Sequence, residues 1–115
     1  MSAVDILAAI EAQHKAAMDN MVEVDVPEWD AKLYFRPILT VARRKQINAG
    51  IKADDEGAIL ASYIIHEARD KNGEPMFEAN ATTRATLEGK ADITLMQRIV
   101  GKVKPSDTVD DAKNV

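Results

Sequence analysis

His14 and His66 are the only histidines in the chain, and histidine is the side chain best suited to moving protons or ligating a transition metal near neutral pH. Neither seeds a metal site by local spacing. His66-Glu67 is not extended to the two-histidine zinc motif, because Asp70 stands where the second histidine would have to be. Each is therefore expected at a surface or a helix end. Asp70-Lys71-Asn72-Gly73 has the look of the middle of a calcium loop, but that alignment places Ala68 and Ala79 at the first and twelfth ligand positions. A loop without those carboxylates does not hold calcium in that geometry. The segment reads instead as a tight turn in which Gly73 supplies a positive φ and Asp70 accepts hydrogen bonds from the turn's own amides.

Asp54, Asp55 and Glu56 form a carboxylate cluster, and at the start of a helix three acids complement the dipole and the unpaired amides. Capping is the expected role. Arg43, Arg44 and Lys45, with Arg36 nearby, form the one local basic cluster, read as a solvated helix face ahead of an acidic partner surface or nucleic acid. There is no cysteine, which removes thiol nucleophiles, thiolate metal sites and redox pairs, and no serine elbow or glycine-rich phosphate loop. The residues point to no catalytic centre, no cofactor and no metal.

The elements that carry these residues fit one small domain. The chain has 115 residues, 46% of them hydrophobic, enough for a single core that needs no staples at a size where folding buries roughly 60–70% of the unfolded surface. Fifteen basic and nineteen acidic residues leave a net charge of −4, and aromatics are 4%. Non-specific attraction to phosphate backbones and base-stacking surfaces are not expected. The first residues lack a basic and then apolar leader pattern, and the longest nearly apolar run, Ala58 to Ile65, falls short of the ~18–20 residues of a span. A soluble, cytosolic protein is the expectation.

Ser2 followed by Asp5 reads as a helix start, and Leu7, Ile10, Ala17, Met18 and Met21 then recur at about helical spacing, predicting an amphipathic helix over 3–20. Val22, Val24 and Val26 alternate with Glu23 and Asp25, as in a half-buried strand, and Lys32 to Arg36 is the expected hairpin partner. The intervening turn contains Pro27 and Trp29. Thr40 caps a helix through Ile47 with its arginines on the polar side. Asp54 or Asp55 caps a central helix from Glu56 to about Arg69, Asn80 or Thr82 starts a short helix ending near Gly89, and Asp92 caps the last one, with a stripe of Ile93, Met96, Ile99, Val100 and Val103. The predicted class is α+β: a mostly helical domain over 1–103, with four to five helices and one antiparallel β-hairpin over 21–36 in the N-terminal half. Residues 104–115 turn polar and are expected to be a flexible tail.

Trp29, Tyr34 and Phe35 concentrate most of the aromatic area in the hairpin. Two readings stand side by side: a small core anchoring hairpin to helix, or an interface. The methionines pose the same choice, since Met18, Met21, Met76 and Met96 suit either a core or an adaptable groove.

The order of features adds a resemblance. Val26-Pro27-Glu28-Trp29, a short strand, an Arg-rich helix, an apolar helix, Asp70-Lys71-Asn72-Gly73-Glu74-Pro75-Met76-Phe77, then Leu87 and a closing helix over Ile93 to Val103, resemble the tail assembly chaperones of long-tailed, lambda-like bacteriophages over about residues 20–103. The resemblance implies a non-enzymatic protein of the host bacterial cytoplasm, absent from the mature virion. It implies binding to the tape measure protein, which is kept soluble until tail tube protein subunits polymerise around it. Recruitment of the tube subunits is linked in that family to a longer product of ribosomal frameshifting, and Gly101-Lys102 lies where such a shift would fall. A long client favours several linked copies, so a homo-oligomer is expected. The candidate partner or oligomer contacts are Trp29, Tyr34, Phe35, Arg43, Arg44, Met76, Phe77 and Met96, with Asp70, Asn72 and Gly73 as a structural turn. The competing readings are a completion protein that stays in the tail or head, and a small regulatory or antitoxin-like DNA-binding module.

Overall fold

The computed structural model describes residues 2–103, so the expected polar tail over 104–115 lies outside the described residues. Helix α1 spans Ala3–Asp19, strands β1 Val22–Val26 and β2 Ala31–Phe35 follow, and helices α2 Val41–Asn48, α3 Glu56–Glu67, α4 Ala81–Lys90 and α5 Ile93–Val103 complete the order. This is a small α+β domain with one two-stranded antiparallel sheet among the described residues.

Most helix starts are set locally by short polar side chains. Ser2 and Asp5 form a reciprocal capping box at α1, and Thr40, Asp55 and Asn80 accept from the backbone amides of Arg43, Ala58 and Thr83. Asp92 Oδ1 accepts from Thr94 N at 2.9 Å at the head of α5. Each such bond satisfies one of the donors that a helix leaves unpaired.

The hairpin follows its alternation. Val24 lies opposite Leu33, and the inward residues Val24, Val26, Leu33 and Phe35 are all buried. Glu23 and Lys32 face outward, with Nζ and Oε2 3.7 Å apart. A single 3-10 turn, Pro27–Trp29, joins the strands, and Asp30 closes it in the left-handed region at φ 51°. A two-stranded ribbon is marginal alone and needs a helical floor. Here β1 packs on α5, and the Phe35 ring stacks on Tyr63 of α3 at a centroid distance of 5.9 Å.

Helix α3 is central, packing against α2, α4 and α5. From Leu60 to Ile65 every residue is buried, so it has almost no polar face. It ends at Glu67, two residues earlier than the periodicity predicts, because Arg69 leaves the helix to pair with the sheet. Arg69 N donates to Tyr34 O and Tyr34 N to Arg69 O, both at 2.8 Å, covering part of the open edge of β2. The chain then reverses through Asp70–Gly73. Asp70 Oδ1 accepts from Asn72 N at 2.8 Å and Glu74 N at 3.0 Å, and Gly73 has φ 86°.

The basic cluster departs from its expected role as a solvated face. Arg43 turns inward from α2 and grips Glu67 with two bonds, Nη2 to Oε1 at 3.0 Å and Nε to Oε2 at 3.2 Å, while Arg36 Nη2 reaches Oε2 at 3.0 Å. The Glu67 side chain is 3% exposed, and those of Arg36 and Arg43 are 11% and 15% exposed. Arg43 Nη2 also donates to Ile38 O. Of the basic cluster, Arg44 and Lys45 remain exposed on α2. Periodicity assigns Arg43 to water because it lies on a polar helix; the buried carboxylate 24 residues later draws it in.

Removing one member of a buried ion group leaves the others uncompensated, which costs about 3–5 kcal/mol, whereas replacing the whole group by apolar residues of similar volume is often neutral or stabilising. Glu67→Gln is expected to lower the urea midpoint by the equivalent of about 3 kcal/mol or more. A joint Arg36→Met, Arg43→Leu, Glu67→Leu variant is expected to recover most of that loss. Equilibrium unfolding followed by circular dichroism checks both, and equal midpoints for Glu67→Gln and wild type would remove the triad from the account.

Candidate functional site

A largely apolar depression lies between the hairpin, residues 76–77 and α4. It encloses about 360 Å³, at the low end of the roughly 300–1,000 Å³ of ligand sites. Leu33 of β2 and Leu87 of α4 are buried and form its floor. Half-buried Trp29 and Phe77 wall it, Met76 is 39% exposed at its mouth, and the exposed Lys90 stands on its rim.

Each wall has a local cause. The 3-10 turn places Trp29 beside α4. The Asp70–Gly73 reversal, held by Arg69 Nη1 donating to Gly73 O at 3.0 Å and by Met76 N donating to Ala68 O at 3.0 Å, brings Met76 and Phe77 back toward the hairpin. Trp29, Lys90 and Ala91 also line a neighbouring, more polar depression that contains Glu28 and Arg98. Arg98 Nη2 donates to both Glu28 oxygens, at 2.9 and 2.8 Å, tying the hairpin turn to α5. That hydrogen-bonded cation holds the Glu28 carboxyl below the usual glutamate range.

The sequence-derived candidates separate by location. Trp29, Met76 and Phe77 meet in the groove. Phe35 is fully buried and Met96 is 2% exposed, so both are core and neither is available to a partner. The alternation of β2 points Phe35 inward, and Met96 belongs to the inward stripe of α5. Tyr34 lies on the outer sheet face, where its hydroxyl donates to Glu23 Oε1 at 3.2 Å, and partial desolvation followed by the Glu23 charge raises its phenol pKa. Arg43 is committed to Glu67, and Arg44 lines a separate hollow beside α2. Met21 is half-buried, and the Met18 side chain lies outside what the structure describes. Leu33 and Lys90 also line the groove and carry no sequence signal beyond ordinary strand and helix periodicity, whereas Leu87, on its floor, is one of the residues that carry the resemblance.

No family model, curated protein or solved structure matches the chain. What the site can do therefore follows from its own chemistry. His66 Nδ1 sits 2.9 Å from Ser62 O and 3.3 Å from Ser62 Oγ, and that hydroxyl donates to Ile47 O at 2.6 Å, so the pair ties α3 to α2. His14 is exposed on α1. Among the described residues no three His, Asp or Glu side chains converge in a way that could hold a metal ion, and no helix is long and apolar enough to cross a membrane. The groove offers apolar contact with a cationic rim, a surface suited to laying down the apolar face of a helix.

Because the folded pKa of Glu28 is depressed, its bond to Arg98 contributes fully above the unfolded pKa and is lost as pH falls through the folded value. A carboxyl-carbon NMR titration is expected to place the Glu28 midpoint below the usual glutamate range. Arg98→Ala should return it to that range; an unchanged midpoint would show that the bond is not populated in solution.

Proposed function

We propose that the chain is a non-enzymatic tail assembly chaperone of a long-tailed phage or prophage, which uses the Trp29–Met76–Phe77 groove to hold amphipathic helical segments of the tape measure protein. The observation that carries this reading is the groove itself: an apolar floor, an adaptable methionine at the mouth and a single cation at the rim. Two of its walls come from the same two segments, Val26 to Trp29 and Asp70 to Phe77, that carry the resemblance to that family.

A client of many successive helical turns needs weak, repeatable contacts rather than one deep pocket, and several copies in a row raise the avidity of each. In this reading the protein works in the host cytoplasm, keeps the tape measure protein soluble, passes it to tail tube subunits through a longer frameshifted form, and leaves before the virion is complete. Burial of Arg36 and Arg43 weighs against the DNA-binding alternative, since it leaves Arg44 and Lys45 as the exposed remnant of the basic cluster.

Coexpression with the tape measure protein of the same phage is the direct test. The client is expected to move from the insoluble to the soluble fraction and to copurify with the chain, and Met76→Glu is expected to reduce the recovered client several-fold while leaving the fold intact. Failure to copurify at both low and moderate salt, or recovery of the chain at fixed copy number in purified particles, would overturn the reading. Trp29 is the only tryptophan, so its emission is expected to shift to the blue when an amphipathic peptide of the client enters the groove.

A further inference from the structure

Among the described residues, helix α1 is not extensively packed against any other element, and only Ala17 in its last turn is buried. It is 17 residues long, about 25 Å at the usual rise, and it joins β1 through only Asn20 and Met21. Both ends are capped, by Ser2 with Asp5 at the start and by Asn20 Nδ2 donating to Ala16 O at 2.8 Å at the end. Of its described side chains only Ala17 is buried; Val4, Ile6, Leu7 and Ile10 are 74%, 46%, 61% and 53% exposed. These four account for most of the large exposed hydrophobic side chains of the described residues, and another of that set, Met76, stands at the mouth of the groove.

We infer that the groove of one copy receives helix α1 of a second copy. The inference rests on reading the groove as a helix-binding site, and adds an occupant supplied by the protein itself. Ala3, Ile6, Leu7 and Ile10 follow one another at i, i+3, i+4 and i+7, the anchor spacing of a helix lying in a groove. The surface that continues from the groove across α4 is lined by Ala81, Thr82, Ala85 and Thr86, side chains small enough for a second helix to approach closely.

Charge separates this arrangement from pairing of α1 with its own copy. Asp5, Glu11 and Asp19 outweigh Lys15 on α1, so two such helices side by side bring together like charges. Lys90 at the groove rim has no ion pair among the described residues. Glu11, one turn on from Leu7, lies at the edge of the apolar arc that would face it. Arg84, also on α4, is already bonded to Glu88.

Size sets the strength and the form of the assembly. A helix of about 25 Å by 10 Å in one groove covers well under the roughly 800 Å² per partner of a standard stable interface. Each copy, however, has one arm to give and one groove to fill. Reciprocal exchange closes a dimer with two contacts, and head-to-tail exchange gives rings or arcs. Either way the groove is occupied in the absence of client, and a client helix enters by displacing the arm.

Sedimentation velocity of the full chain, without client, tests the inference with two exposed substitutions that leave the core untouched. Wild type is expected to associate reversibly as concentration rises, and both Ile10→Glu (arm broken, groove intact) and Met76→Glu (groove broken, arm intact) to remain monomeric with unchanged circular dichroism. Mixing the two variants at high concentration should restore a single-contact 1:1 heterodimer, weaker than the wild-type association, since one retains a groove and the other an arm. A wild type that is monomeric at all accessible concentrations, a Met76→Glu variant that associates like wild type, or a mixture that stays monomeric would each overturn it. The chaperone reading is measured separately, by Trp29 emission when client peptide is added to the Ile10→Glu chain: binding there with a monomeric wild type sinks only the arm, and association without peptide binding sinks only the client.

Discussion

Glu67 is the constraint around which the rest of the domain is arranged. Its carboxylate sits at the end of α3 with almost no access to water, and it is satisfied by guanidinium groups from two other places: Arg36, where the chain leaves β2, and Arg43, on the first turns of α2. Buried charge is tolerated only when paired and fully hydrogen-bonded, so this group fixes the hairpin, α2 and α3 relative to one another. Burial pushes the Arg36 guanidinium below the usual arginine range, Glu67 pulls it back up, and the nearby Arg43 and Arg69 charges push it down again. The cluster is therefore cationic overall, and the buried Nε atoms of Arg36 and Arg69 find no acceptor among the described residues. A local excess of this kind costs stability and is consistent with a group retained to specify one arrangement of elements rather than to strengthen the core.

From that fixed point the groove follows. Once α3 is stopped at Glu67, Arg69 is free to pair with Tyr34 along the edge of β2, and the tight turn after it returns Met76 and Phe77 to the hairpin. The same pairing that covers a sheet edge thus builds one wall of an apolar surface. Trp29 reaches the opposite wall because the strands are joined by a 3-10 turn, tied to α5 through Glu28 and Arg98. The groove is a consequence of how the ends of elements are closed, and its lining side chains are spread over several segments.

The apolar surface of α1 and that of the groove are of the same kind. Both are flat or shallow, flanked by charge and open to solvent, and neither has a partner among the described residues. Such surfaces suit contacts that form, break and form again, as the proposed chaperone role would require. Rigid core and exchangeable surface are divided cleanly: Phe35, Met96 and Ile64 are closed to solvent, and Met76, Ile10 and Leu7 are open to it.

Element existence and order were legible in the residues, because alternation in the hairpin, capping side chains and helical periodicity act over a few neighbours. Ser2, Thr40, Asp55, Asn80 and Asp92 cap the helices in the places their types suggest. The turn at Asp70 to Gly73 is equally local, since one carboxylate and one positive φ suffice to make it. The candidate contacts were not separable on the same grounds. Trp29 and Phe35, or Met76 and Met96, are alike in composition and patterning, and only packing decides which faces a groove and which fills the core. By itself the sequence determined an α+β domain with one hairpin and a central apolar helix. Tertiary structure alone decided that Arg43 turns inward, that Arg69 serves as a strand edge and that α1 stands apart. The reason is physical: period and capping are interactions between neighbours in the chain, whereas the pairing of a buried charge and the covering of an apolar face depend on groups that meet only after the chain has folded.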